Sequence, residues 1–317
     1  MGIIAIFCQK FWNRRMENSW RIALECVYKL ESKYIMKKMK GRFLIVSLLC
    51  LCFYACGNDD EGGDFLPEDG IELPALRSGA NDVLVSHSTQ FNGNRVITFT
   101  AEYDKSKKHA RWVAFRFDRF SGQTLVERTK PEPFEPDPTV EASAQRVQAD
   151  FGRKGYDRGH ICASADRLYS REANVQTFYY TNMSPQKNAF NTGVWLNLES
   201  KVQAWGRSCK GSDALYVVKG GTIDKADQIK EYIGGDRTKP VPKYYYMALL
   251  FRKDNTYKAI AFWTEHDKPY VSNVSSCAIS IDELEKRTGI DFFPALPDKL
   301  ENAVEASFSV KQWPGLN

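Results

Sequence analysis

Tyr244-Tyr-Tyr-Met-Ala-Leu-Leu-Phe251, then Arg252-Lys-Asp-Asn-Thr-Tyr257, then Lys258-Ala-Ile-Ala-Phe-Trp-Thr264 is the stretch that decides the fold class. The outer runs are apolar, aromatic-rich and too short for helices, and the polar link between them has hairpin length, so the three read as an antiparallel hairpin. Val96–Tyr103, Trp112–Asp118 and Leu215–Val218 have the same strand character. Helices are fewer. Trp195, Leu198, Val202 and Trp205 recur at helical spacing, and Ser280-Ile-Asp-Glu283 is a capping box opening a helix that stops at Gly289. No repeat and no second linker interrupts 80–317. The expectation is one α+β domain, a large antiparallel sheet flanked by helices.

Composition agrees with a globular chain: 317 residues at 43% hydrophobic and 26% charged exclude collagen and wholesale disorder. The net charge of +5 is unevenly spread. Residues 1–55 carry ten Lys or Arg against three acids, whereas 80–317 carry 33 against 29, which permits a polyanionic partner without requiring one.

Met39-Lys-Gly-Arg42 followed by the apolar run Phe43–Ala55 reads as an export signal, too short to span a bilayer as a helix. The segment before it is foreign to such signals, so the expected start is Met36 or Met39, with 1–55 as leader. Cys56 after Ala55 resembles a bacterial lipobox and would be lipidated. Soluble secretion is the alternative, since Phe53 and Tyr54 are bulky for that motif. Residues 57–79, acidic and Gly/Pro-rich, read as a flexible tether from Cys56 to the folded part. The protein is then expected at the bacterial cell envelope, as an outer-membrane lipoprotein facing periplasm or surface. Three cysteines remain in the domain, with no zinc-type spacing. Two outcomes stand: Cys209 pairs with Cys277, each next to an element end, or Cys162, Cys209 and Cys277 are buried free thiols.

His87, His109 and His266 lie in ordinary contexts and read as surface or packing residues. His160 closes Tyr156-Asp-Arg-Gly-His160, and Asn191 stands inside Asn182-Met-Ser-Pro-Gln-Lys-Asn-Ala-Phe-Asn-Thr-Gly-Val-Trp-Leu-Asn-Leu-Glu199. These strings, with Thr177-Phe-Tyr-Tyr-Thr181 between them and Leu215–Gly221, Val241–Tyr246 and Ile281–Pro297 beyond, resemble the DNA/RNA non-specific endonucleases, the ββα-metal nucleases that include mitochondrial endonuclease G. The likeness covers nearly all of 80–310.

The resemblance implies a ββα-metal site in which His160 is the general base and Asn191 the direct protein ligand of Mg²⁺, with Mn²⁺ or another divalent cation as substitute. A hard ion held by few protein groups is consistent with that role for an amide oxygen, although Asn191 in isolation would read as a helix cap. Glu199 lies about 12 Å along and about 80° round a continuous helix from Asn191, which assigns it to orienting water beside the ion rather than to binding it. Arg128 and Arg158 match the family's cations for the developing phosphorane, with a salt bridge to Asp157 as the structural alternative for Arg158. Gln203 stands where the family often has Arg. It can bind a phosphate but supplies no charge, so either weaker transition-state stabilisation or compensation from Lys201 or Arg207 is expected. The implied partners are DNA and RNA, contacted through the phosphate backbone, and a second copy of the chain. The rivals are a small-nucleotide phosphodiesterase of the same fold and a non-catalytic surface binding protein.

Overall fold

The computed structural model describes residues 70–316 apart from 78, 153, 154, 235 and 236. The leader, its alternative starts and Cys56 lie outside the described residues. Among the described residues no helix is long and apolar enough to cross a membrane. The strands in chain order are β1 (Asp82–Phe91), β2 (Asn94–Asp104), β3 (His109–Phe117), β4 (Asp157–His160), β5 (Met183–Gln186) and β6 (Ala214–Gly221), then β7 (Ile229–Ile233), β8 (Lys239–Pro242), β9 (Tyr244–Lys253), β10 (Thr256–Glu265) and β11 (Ala278–Ile279). Among the described residues four α-helices exceed one turn: α1 (Arg171–Gln176), α2 (Leu196–Arg207), α3 (Ile281–Thr288) and α4 (Asp298–Glu305).

Seven strands form one antiparallel sheet in the order β1-β2-β3-β6-β9-β10-β11, while β4-β5 and β7-β8 form two small ribbons. The five strands read from sequence are all present. Their hairpin is tighter than the six-residue loop suggested: β9 and β10 run on to Asp254-Asn255, both at positive φ, as a two-residue turn demands. Strand β1 was missed. Its marker was Asn92-Gly93, also both at positive φ, which folds β1 back on β2.

The sheet is covered on both faces, and strand alternation shares it between two cores. Tyr245, Met247, Leu249 and Phe251 of β9 join Trp195, Leu198, Val202 and Trp205 on one side. Tyr246, Ala248 and Leu250 join Ile281 and Leu284 of α3 and Val304 of α4 on the other. The four residues at helical spacing are therefore core. Helix α3 starts with Ser280 Oγ accepting from Glu283 N (3.1 Å), but only half of the capping box forms, because the Glu283 carboxylate accepts from Arg287 Nε instead (2.8 Å).

Two expectations are corrected. The ordered chain begins before residue 80: Ile71 is fully buried in the α3–α4 core and Ala75 N donates to Asp291 O (2.9 Å). Ile71 and Leu73 supply enough apolar surface to dock that end of the acidic segment. Cys209 and Cys277 are free, as is Cys162. Cys209 leads toward β6 and Cys277 toward β11, strands three spacings or about 14 Å apart. A disulfide needs Cα atoms within about 7 Å.

Candidate active site

Strands β4 and β5 pair antiparallel with His160 opposite Met183 and Asp157 opposite Gln186. The chain leaves β5 through Lys187 into a short helical turn, Asn188–Phe190, then the π-type turn Asn191–Trp195 and α2. Strand, strand and helix thus meet in a ββα unit. It is held from behind by two histidines. His266 Nε2 accepts from Lys187 N (2.8 Å) while its Nδ1 donates to Pro242 O (2.9 Å), and His109 Nε2 meets the Ser184 hydroxyl at 2.7 Å. Burial depresses both rings, to about 4 and about 3, so they are neutral hydrogen-bonding pieces of the interior. His87 is also buried, with Nε2 2.8 Å from Asp137 Oδ2. All three pack inside; none is a surface residue.

A cleft of about 520 Å³ opens beside this unit, and Arg128, Arg158, His160, Asn191, Glu199 and Gln203 all line it. His160 Nε2 is buried with no hydrogen-bond partner. Burial first, then the charges of Arg128, Arg158 and Lys219, hold its pKa down to about 3. Asn191 donates its amide N–H to Asp157 Oδ2 (3.1 Å), which also accepts from Asn188 (2.9 Å), so the Asn191 amide oxygen is left as the acceptor end. Arg158 does not pair with Asp157. Its guanidinium lies 3.6 Å above the Phe134 ring and donates to Gln148 Oε1 (2.7 Å). Arg128 binds the Glu132 carboxylate (Nη2 at 2.8 Å) and donates to Ser164 Oγ (2.5 Å), yet 40% of its side chain stays exposed to the cleft.

The reading of Asn191 to Glu199 as one continuous helix is corrected. Gly193 sits at φ −97°, ψ −114°, outside helical space, and Val194 N turns aside to donate to Pro269 O (2.8 Å). This kink lets residues eight apart line one cavity. A Cβ on Gly193 would stand 2.4 Å from that Pro269 oxygen. Gly193→Ala should therefore cost about 1–3 kcal/mol in urea denaturation. Because a misplacement of 1 Å can cost about 10²-fold in rate, it should also cut activity by more than tenfold. Unchanged activity in a folded variant would show that the kink does not set the Asn191–Glu199 geometry.

A sequence profile of the DNA/RNA non-specific endonucleases matches residues 80–299. The chain belongs to this family. Membership places it among hydrolases acting on nucleic acids. It is 29% identical over 216 residues to a nuclease of Nostoc sp., covering 66% of this chain and 75% of the relative. It is 29% identical to the mitochondrial nuclease EXOG of Danio rerio, covering 66% of this chain and 61% of the relative, and 26% identical to mitochondrial endonuclease G of Homo sapiens (61% and 66%). The chain thus spans less than two thirds of the EXOG and endonuclease G relatives. A chain of the solved EndoG/EndoGI complex superposes with a TM-score of 0.57 at 22% identity, covering 68% of this chain and 89% of that one, which establishes the shared fold.

In this endonuclease-family site the departure at Gln203 has a structural counterpart that the sequence reading missed. Gln203 Nε2 donates to Asp166 Oδ1 (3.0 Å), and Lys219 Nζ sits 2.8 Å from Asp166 Oδ2 and 3.5 Å from Glu199 Oε1. Lys219 and Asp166 are fully buried. The charge next to Glu199 therefore comes from Lys219 and not from the expected residues: Lys201 and Arg207 are absent from the cleft lining, and Arg207 is spent on Ala165 O (2.9 Å). A signal existed, since a lysine inside Leu215-Tyr-Val-Val-Lys-Gly-Gly221 must bring a partner if that strand is buried. Burial and Asp166 push the Glu199 carboxyl above its usual range against the pull of Lys219, whose ammonium the two acids stabilise.

Proposed function

We propose that this protein is a metal-dependent, sequence-non-specific endonuclease that hydrolyses phosphodiester bonds of DNA and RNA. The observation that carries this reading is one cleft lined together by His160, by Asn191 with its amide N–H held by Asp157, and by Arg128 and Arg158. The donor set fits a hard divalent cation, Mg²⁺ or Mn²⁺. Asn191 offers an oxygen oriented by Asp157, and Glu199 lines the same cleft to hold water. Such ions are commonly bound by one or two protein oxygens plus phosphate and water. When bound there, the cation would supply Lewis-acid stabilisation of the phosphoryl and leaving oxygens.

The chain's own residues do the rest. His160 takes a proton from water as that oxygen attacks phosphorus and the bond from phosphorus to the leaving ester oxygen breaks, the departing oxygen taking a proton from solvent; the ring can act so at neutral pH because it is uncharged. Arg128 and Arg158 neutralise charge on the phosphorane, and the stacking on Phe134 pre-sets the Arg158 plane before substrate arrives. Gln203, tied to Asp166, supports the buried charges and is at most a neutral phosphate contact. Backbone recognition is supported by the cations Arg128 and Arg158 lining the cleft. The reading includes export by the 1–55 leader and a lipid anchor at Cys56 at the bacterial envelope, supported by the apolar run ending at Ala55.

The test is nicking of supercoiled plasmid and degradation of RNA by the purified protein. Both polymers should be cut with Mg²⁺ or Mn²⁺, and excess EDTA should stop both. Loss of a residue that merely orients a metal ligand costs about 10–100-fold in metal affinity or activity, so Asn191→Ala should raise the Mg²⁺ needed for half-maximal rate by at least about tenfold. A folded protein inert with every metal would sink the general-nuclease reading.

A further inference from the structure

On the sheet face opposite α2, Asp282 and Glu285 of α3 and Glu305 of α4 bring carboxylate oxygens within 4.8 Å of one another. Glu305 is 5% exposed, and its Oε1 has no hydrogen-bond partner and no access to solvent. Leaving a buried carboxylate oxygen unsatisfied is costly, and placing it against two more acids adds repulsion. Glu301, one turn before Glu305, and Asp291 add further negative charge around the group. Arg287 of α3 holds Glu283, and Lys225 donates to Arg287 O (2.6 Å). One Glu285 oxygen is used, accepting from Phe292 N (2.7 Å), which fixes that carboxylate in place.

We propose that Asp282, Glu285 and Glu305 form a structural Ca²⁺ site that clamps the C-terminal helix α4 to α3, separate from the catalytic cleft. Carboxylate oxygens within 4.8 Å of one another fall inside the about 4.6–5.2 Å span of a Ca²⁺ shell, and Ca²⁺ accepts the irregular, water-completed ligand set of three carboxylates on two helices, whereas Mg²⁺ demands a near-ideal octahedron. The exposed Asp282 leaves an entry path and room for water ligands. The site is built on the apolar packing of Ile281, Leu284 and Val304, so its geometry is set by the α3–α4 interface rather than by a loop. It does not rest on the nuclease reading.

The experiment is calorimetric Ca²⁺ titration and thermal denaturation of the chelator-stripped full protein and of its Asn191→Ala, Asp282→Asn and Glu305→Gln variants. One Ca²⁺ should bind, and at about 100 times its Kd should raise Tm by about 5–10 °C. Asn191→Ala should keep both responses. Asp282→Asn, a surface change that leaves the fold alone, should weaken binding at least tenfold, and Glu305→Gln should abolish the shift while its metal-free form stays folded. No Ca²⁺ binding, a response that survives Glu305→Gln, a response lost with Asn191→Ala, or an equal response to Mg²⁺ would each overturn the assignment.

Discussion

Replacing His160 by alanine should lower turnover on supercoiled DNA by about 10²–10⁴-fold, the usual worth of a general base, with little change in KM. The variant should fold. The side chain is held by a tilted contact with Phe134 and an edge-on contact with Phe178, and its buried Nε2 has no partner, so truncation strands no partner of that nitrogen. The pH profile is a sharper check. A base works deprotonated, and an ordinary histidine would lose tenfold in kcat/KM per pH unit below about 6.5. His160 is held near 3 by burial and three cations, so the free enzyme keeps its neutral base throughout the mildly acidic range. No acid limb from His160 is therefore expected in kcat/KM. The Glu199 carboxyl is displaced upward, so a limb above the ordinary carboxylate range belongs to it and should vanish in Glu199→Gln. A limb at 6.5 that survives Glu199→Gln would place His160 in a more solvated setting than the cleft provides.

Lys219→Met should be the most destabilising single change in the cleft's support. Lys219 and Asp166 are both fully buried and 2.8 Å apart, so removing the ammonium leaves a carboxylate without its counter-charge inside the protein. Breaking such a pair costs about 3–5 kcal/mol, or about 6–20 °C in Tm for a domain of this size. Gln203 Nε2 and the Ala163 N–H then remain to Asp166 as neutral donors, and Glu199 loses its cation at 3.5 Å. Activity should fall with stability, because the protonated Glu199 that results cannot hold water as an anion does. Adding Asp166→Asn should restore more than half the stability, since both buried charges are then gone. Urea denaturation of the two singles and the double measures this coupling. A cost below about 1 kcal/mol for Lys219→Met, or no recovery in the double variant, would mean that the pair is not the desolvated contact described.

What the amino-acid sequence determined by itself was local or ordered along the chain. Five of the seven strands of the central sheet followed from runs of strand length, and α2 from the spacing of Trp195, Leu198, Val202 and Trp205, because burial on one face imposes its period on neighbouring residues. The residues of the cleft were legible too, since Asp157–His160 and Asn182–Glu199 carry the family's strings, and the structure brings Arg128, Arg158, His160, Asn191, Glu199 and Gln203 together. Where the chain departs from ideal elements, periodicity had no purchase. The Gly193 kink needs a carbonyl from Pro269, and Ile71 finds its core only after the sheet has formed. The tertiary structure alone decided that Lys219 meets Asp166 from 53 residues away, that Cys209 and Cys277 stay apart, and that Asp282, Glu285 and Glu305 crowd together. Electrostatic and covalent pairing depend on distances of a few ångströms between residues remote in sequence, and packing, not composition, sets those distances.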